Sequence, residues 1–171
     1  PMIAELCELF YSTTADVGQF EEVTAGDLPE QFKALLAHDD HMTVTVEAWH
    51  NSLVTLSVLG ERHDKDYYSR HIVLSLQRDG APVQFGIMRI DLNGLPKIVR
   101  MESESQALPL GRIMIRHHLM RDVELDQLWR VTAGPALRKY LKLERETNCF
   151  GRTARILVDK KPAVELLEIV I

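Results

Sequence analysis

Charged side chains within predicted β-structure are the residues of this sequence best placed to do chemistry. Glu168 lies in the apolar run AVELLEIVI at the end of the sequence, in phase with Leu166 and Val170. Because side chains alternate faces along a strand, Glu165 lies on the face opposite to Glu168, and only one of them enters a given interior. A carboxylate in an apolar interior is costly without a compensating group. The pattern therefore predicts a partner or a ligand for one of these two glutamates.

Two arginines are further candidates for a functional site. Arg70 is in phase with Ile72 and Leu74 in the run YSRHIVLSLQ, so it either reaches the core or snorkels from the strand end to solvent. Arg112 follows the turn LPLG, whose backbone N–H groups can form an anion-binding corner, although a plain structural turn is an equal alternative. Two cations and one carboxylate would suit a small, anionic, partly apolar ligand.

The elements that must position these residues are predominantly strands. The pattern predicts strands over residues 42–49, 53–59, 68–77, 83–92, 119–131 and, as a terminal hairpin turning at 159–162, over 150–171. Predicted helices cover 27–37, capped by Asp27, and residues 95–103 and 135–143. Hairpin-linked strands with segregated helices indicate an α+β fold built on a single antiparallel sheet, and not alternating βαβ units.

Composition bounds the classes of function. The 171 residues fit one domain, residues 1–171, and the net charge of -5 without a basic run gives no reason to expect nucleic acid as a partner. No apolar stretch approaches the roughly 18 residues of a membrane-spanning helix, so no membrane association and a cytoplasmic location are expected. Cys7 and Cys149 form no CxxC pair and are expected to be reduced, partly buried thiols. The oligomeric state is not predicted.

Motifs for cofactors and metals are absent from the sequence. It contains no dinucleotide or phosphate-loop glycine motif, no HExxH and no GxSxG. Residues 38–41, HDDH, could supply metal ligands, but they lack a recognised ligand spacing, and a solvated connection is the better interpretation. We therefore expect no metal and no cofactor.

Several short motifs follow one another along residues 41–171. They are Met42-Thr43, Tyr67-Tyr68-Ser69-Arg70 with HIVL and then DGAP, Pro109-Leu110-Gly111-Arg112, Phe150-Gly151-Arg152, and Lys161-Pro162 with a glutamate six residues later. Their order and spacing resemble those of the chorismate lyases, the chorismate pyruvate-lyases that make 4-hydroxybenzoate. The resemblance implies one antiparallel sheet of about six strands, helices beside it, and a ligand enclosed beneath flap-like loops.

The resemblance also implies roles for individual residues. Arg70 matches the arginine that pairs with the ring carboxylate, and Glu168 matches the glutamate that meets the ring hydroxyl. Met42 and Leu110 match residues that line the pocket and offer backbone N–H groups to the carboxylate, whereas Arg112 is a candidate for the second carboxylate. The predicted substrate-binding positions are Met42, Thr43, Leu110, Gly111 and Arg112; of these, the resemblance itself assigns roles to Met42 and Leu110.

The implied activity is a metal-independent carbon–oxygen lyase reaction, in which pyruvate is eliminated from chorismate to give 4-hydroxybenzoate. In it, Arg70 fixes the ring carboxylate and Glu168 orients the C4 hydroxyl. Two departures put substrate choice and activity in question. Family members tend to have G-R-T where this sequence reads Gly86-Ile87-Met88-Arg89, and Leu167 replaces a threonine before the final glutamate.

Two alternatives remain open. The first is a protein of the same fold that binds an aromatic carboxylate without turning it over. A related fold serves in this way as the effector-sensing module of some transcription regulators, but residues 1–40 are expected to be too short and too weakly helical for the helix-turn-helix of such a regulator. The second alternative is a lyase that gives a different hydroxybenzoate.

Overall fold

One antiparallel sheet of seven strands forms the centre of the molecule. The structure, a computed structural model, describes residues 2–104, 112, 113, 116, 122–145 and 148–171. The strands are β1 Gly18–Val23, β2 Val54–Asp64, β3 Tyr67–Leu76, β4 Pro82–Asp91, β5 Asp122–Ala133, β6 Asn148–Val158 and β7 Lys161–Val170. They lie in the order β1-β5-β6-β7-β4-β3-β2, so the terminal strand β7 is central and β1 and β2 form the edges.

Helices cover both faces of the sheet. They are α1 Met2–Cys7, α2 Thr14–Val17, α3 Glu30–Leu36, α4 Met42–His50, α5 Lys97–Glu104 and α6 Pro135–Tyr140. Helices α3 and α4 pack on the face that carries Ile72 and Val170, which we call the pocket face, and α5 packs further along the same face. Helices α1 and α6 pack on the opposite face, against Phe85 and Ile169. None of the described helices is long and apolar enough to cross a bilayer.

The predicted strand over residues 42–49 is wrong, because this segment forms helix α4. Its valines and threonines favour a strand, but Met42 and Val46 recur at helical spacing and are buried together against the sheet. The helix ends at Asn51, which adopts the left-handed conformation with φ 49°. Burial of one helical face therefore decides the conformation here, against local propensity.

Two further predictions need correction near the start of the sequence. Strand β1 was not predicted, because its segment is mostly polar and lies at an edge; with it, the described residues form seven strands where about six were expected. Asp27 does not cap α3. Its Oδ2 instead accepts hydrogen bonds from the backbone N and Oγ1 of Thr24, both at 2.9 Å, which closes a 3-10 turn before the helix begins at Glu30.

The hairpins were predicted more accurately. The predicted strands 68–77 and 83–92 differ by one residue at each end from β3 and β4. The terminal hairpin turns at Asp159 and Lys160, both with positive φ, and so has the backbone twist that suits a two-residue connection. Cys7 and Cys149 are both buried, and neither is joined in a disulfide.

A buried histidine lies on the face opposite to the pocket face. His71 is 8% exposed, and Tyr11 donates a hydrogen bond from its hydroxyl to Nδ1 at 2.9 Å when the ring is neutral. Phe10 stacks on the imidazole with a centroid distance of 4.3 Å. A Cβ on Gly60 would lie 2.7 Å from Nε2, so only glycine fits opposite the ring. Burial lowers the pKa of His71 from 6.5 to about 4.

We expect this histidine to make the fold less stable in acid. The unfolded chain protonates His71 near its ordinary pKa of 6.5, whereas the folded chain resists protonation down to about pH 4. The stabilisation is complete above pH 6.5 and is lost as the pH falls, by up to about 3 kcal/mol. Urea unfolding at pH 7.5 and 4.5 measures it. His71→Asn, which keeps an acceptor for Tyr11, should show a smaller loss, and an equal loss in both proteins would contradict the assignment.

Candidate ligand-binding site

A pocket lies on the pocket face of the sheet, beside the N-terminus of α4. Its walls are mainly apolar side chains of β3, β4, β6 and β7, including Ile72, Met88 and Leu166. The empty space within it, counted out to the mouth, is about 490 Å³. Most of this volume is open to solvent, and the enclosed cavity measures only about 30 Å³, so a single-ring ligand requires lining side chains to move. The polar groups that line the pocket are His41, Thr43, Gln84, Arg152 and Glu168.

Strand register explains why one position in the sheet beneath the pocket has no side chain. Glu168 on β7 pairs with Arg152 on β6 and with Gly86 on β4, and Gly86 pairs in turn with Ile72 on β3. Directly paired residues of neighbouring strands point to the same face, so these four positions form one row. Because Gly86 has no side chain, the row contains a gap beside the carboxylate of Glu168.

Arg152 compensates Glu168 and fastens the loop in front of α4. Its Nε donates to Oε1 of Glu168 at 3.0 Å, and its Nη1 and Nη2 donate to the carbonyls of His38 and Asp40 at 2.8 and 2.9 Å. The arginine is fully buried. A buried charge pair needs such additional hydrogen bonds to offset its loss of hydration. One side chain thus fixes both the carboxylate and the start of α4 at the pocket.

Glu168 and Glu165 lie on opposite faces, as strand alternation requires. Glu168 is 8% exposed and lines the pocket, and among the described residues no donor reaches its Oε2. Glu165 instead accepts a hydrogen bond at 3.0 Å from Nε of Arg89, its partner on β4. Arg89 also pairs with Glu5 at 3.2 Å. The arginine displaced from the G-R-T position therefore belongs to the opposite face.

Arg70 is fully buried on the pocket face and does not snorkel to solvent. It is paired with Met88, so it lies one row beyond the row of Glu168. The residues described as lining the pocket include Met88 and not Arg70. Burial lowers the pKa of Arg70, while a hydrogen bond with Tyr68 and the charge of Glu61 act in the opposite direction.

Met42 and Thr43 place the start of a helix at the pocket. Both are buried and line it. The first hydrogen bond within α4 runs from the N–H of Thr45 to the carbonyl of His41, so the preceding N–H groups have no acceptor within the helix. His41 makes no side-chain capping bond. Backbone N–H groups and the helix dipole together favour an anion at this end of the pocket.

The predicted corner around Arg112 is described only in part. Leu110 and Gly111 lie outside the described residues. Arg112 itself forms an ion pair with Glu47 of α4, which also accepts a hydrogen bond from the backbone N of Val54 at 2.8 Å. Glu47 of α4 therefore balances the charge of Arg112, and the role of Arg112 in binding a second carboxylate stays a prediction.

In the segment of residues 38–41, the side chain of His38 is hydrogen-bonded to backbone groups close to it in sequence. Nε2 of His38 donates to the carbonyl of Leu35 at 2.6 Å, and its Nδ1 accepts from the N–H of Asp40 at 3.0 Å. Among the residues that the structure describes, no group of three or more His, Cys, Asp and Glu side chains is arranged to hold a metal ion. The segment serves as the loop that Arg152 fastens.

Sequence reasoning missed Arg152 and Gln84 as residues of the pocket. Arg152 is part of the quoted FGR motif and is in phase with Phe150 and Ala154, so its strand phase already indicated the interior. Gln84 is in phase with Gly86 and Met88 in a strand that is buried on both faces. In both cases a polar residue at a core position was the available signal.

Searches by sequence against protein-family models and against curated proteins find no match. Several solved structures are similar. PhnF from Mycobacterium smegmatis has a TM-score of 0.53 and 11% identity over 78% of this chain and 64% of that one. YydK from Bacillus subtilis, described as a possible transcriptional regulator, has a TM-score of 0.51 and 13% identity over 71% of this chain and 59% of that one. The SA0254 gene product from Staphylococcus aureus has a TM-score of 0.51 and 9% identity over 69% of this chain and 82% of that one.

At these identities the similarity shows the fold alone. The shared architecture is the chorismate lyase-like α+β fold with one antiparallel sheet, so the predicted fold class is confirmed. The chain spans less than two thirds of PhnF and of YydK.

Proposed function

We propose that this protein binds a small aromatic carboxylate in the pocket beside α4. The observation that carries the proposal is the pocket's combination of a helix N-terminus, apolar strand walls and the buried carboxylate of Glu168. The carboxylate of the ligand lies near the N–H groups of Met42 and Thr43, and the ring packs against the walls. A ring hydroxyl donates to Oε2 of Glu168.

Arg70 adds positive charge to the pocket face. It lies beside Met88 on the neighbouring strand, and the flexible thioether side chain of Met88 can move to fit a ligand. In the low dielectric of a buried face, a cation acts on a ligand carboxylate even without direct contact. We therefore assign Arg70 to the recognition of the carboxylate.

Arg70→Met is expected to weaken benzoate binding at least tenfold, about 1.4 kcal/mol. The uncharged analogue benzamide should bind to both proteins with affinities within about a factor of two, because it has no charge for Arg70 to attract. Isothermal titration calorimetry measures both ligands, and circular dichroism checks the fold. If benzoate and benzamide are weakened equally, Arg70 acts through packing and not through its charge.

A second candidate function is the chorismate pyruvate-lyase reaction. It is favoured by the location of Arg70 and Glu168 on the same buried face, since the motif resemblance assigns these two residues to the ring carboxylate and the C4 hydroxyl. In that reaction the ether bond at C3 breaks, C4 loses its hydrogen, and the released enolpyruvate takes up a proton to become pyruvate. The residues position the substrate and stabilise charge, and aromatisation drives the elimination.

One pair of measurements separates the two functions. The purified protein is titrated with benzoate and 4-hydroxybenzoate, and it is also incubated with chorismate while pyruvate and aromatic absorbance are followed. Binding without pyruvate release supports the binding protein, whereas saturable pyruvate release that is lost in Glu168→Gln supports the lyase. The ring position of the product hydroxyl distinguishes 4-hydroxybenzoate from its 3-hydroxy isomer. The absence of both binding and turnover would refute both proposals.

A further inference from the structure

Gln84 places an amide in an otherwise apolar part of the pocket. It lies on β4, where its partners are Leu74 on β3 and Val170 on β7. Its side chain lines the pocket and is only 3% exposed. Its surroundings would therefore suit leucine or methionine at least as well as glutamine.

The amide oxygen has no partner within the described part of the protein. Oε1 of Gln84 is inaccessible to solvent, and no donor among the described residues reaches it. An unpaired buried acceptor destabilises the fold because it has lost its hydrogen bonds with water. Arg152, which is equally buried on the same face, has a protein acceptor for each of its three nitrogens. Gln84 thus differs from its polar neighbour in lacking a protein partner.

Gln84 and Glu168 are close enough to act on one ring. Glu168 is paired with Gly86, and Gln84 is the next residue of β4 that points to the same face. Such diagonal positions on adjacent strands have side chains about 7–8 Å apart at their origins, within reach of a ligand between them. Since Gly86 leaves the intervening position empty, both acceptors can approach neighbouring atoms of the same ligand.

We infer that Gln84 is a specificity-determining residue that accepts a hydrogen bond from a second donor on the ligand. The inference rests on the proposed binding function and narrows the ligand class. The preferred ligand is a ring carboxylate with O–H or N–H donors on two adjacent ring carbons, one for Glu168 and one for Gln84. Chorismate has an ether oxygen beside its C4 hydroxyl and supplies no donor there, so this ligand class belongs to the binding function.

The test compares 4-hydroxybenzoate with 3,4-dihydroxybenzoate by calorimetry. The wild-type protein should bind the dihydroxy compound about tenfold more tightly, because it satisfies Oε1 of Gln84. Gln84→Leu should bind the two compounds with equal affinity, so that the tenfold preference is lost. Its melting temperature should equal or exceed that of the wild type, since the buried unpaired acceptor is gone.

Leu74→Met provides the matched control. Leu74 also lines the pocket and is the partner of Gln84 on β3, so this variant alters the same wall without changing a polar group. It should keep the preference for the dihydroxy compound. If the wild type shows no preference, or if Gln84→Leu retains it, the inference is wrong and the proposed binding function stands. If neither compound binds to the wild type, the binding function fails and the inference fails with it.

Discussion

Arg152→Ala is expected to lower the free energy of unfolding by about 3–5 kcal/mol. The substitution leaves Glu168 buried without its ion-pair partner, and it leaves the carbonyls of His38 and Asp40 without their donor. An uncompensated buried charge is among the most costly defects a fold can contain. Because the same side chain fastens the loop before α4, the start of α4 should also loosen.

Urea denaturation at neutral pH measures this loss. Arg130→Ala is the control, since the ion pair of Arg130 with Glu21, at 2.9 Å, lies at the surface and should contribute at most about 1 kcal/mol. The double variant Arg152→Met with Glu168→Leu should recover much of the stability, because it removes both charges and leaves an apolar row. If Arg152→Ala costs no more than Arg130→Ala, the buried pair does not stabilise the fold.

Gly86→Val is expected to reduce the affinity for aromatic carboxylates at least 100-fold while the protein remains folded. A Cβ on Gly86 would meet Cγ1 of Ile72 at 3.4 Å and the carbonyl of Leu167 at 3.5 Å, so the strand accepts a side chain there. The valine methyl groups would then occupy the gap beside Glu168. Valine also suits a buried strand better than glycine, which offsets part of any crowding.

Gly86→Ala gives a graded comparison, because its single methyl fills less of the gap and should weaken binding by an intermediate amount. Calorimetric titration with 4-hydroxybenzoate measures affinity, and thermal melting followed by circular dichroism confirms that both variants are folded. Melting temperatures within a few degrees of the wild type are expected. Undiminished binding by folded Gly86→Val would place the ligand outside this pocket.

Strand phase alone predicted the faces of several residues. The runs around Arg70 and Glu168 are apolar on both sides, so alternation restricted each charged side chain to one face of a buried strand. The turn residues between β3 and β4, and those between β6 and β7, marked the hairpins closely. These features depend on neighbouring residues, and the sequence therefore contains the information they require.

Residues 42–49 show what local patterns could not decide. Their β-branched residues favour a strand, and only packing of Met42 and Val46 against the sheet makes the segment a helix whose N-terminus reaches the pocket. This helix start is a main reason to expect an anionic ligand, and it was predicted as the beginning of a strand. Local propensities are weak compared with the burial of an apolar face.

The partners of the charged residues were decided by tertiary structure. The sequence determined that Glu168 and Arg70 lie in buried strands, but not that Arg152 compensates Glu168 or that Arg112 pairs with Glu47. Strand order brings β6 beside β7, and the loop before α4 then supplies the remaining acceptors of Arg152. Periodicity specifies the face of a side chain, whereas its partner depends on which distant segments the fold brings together.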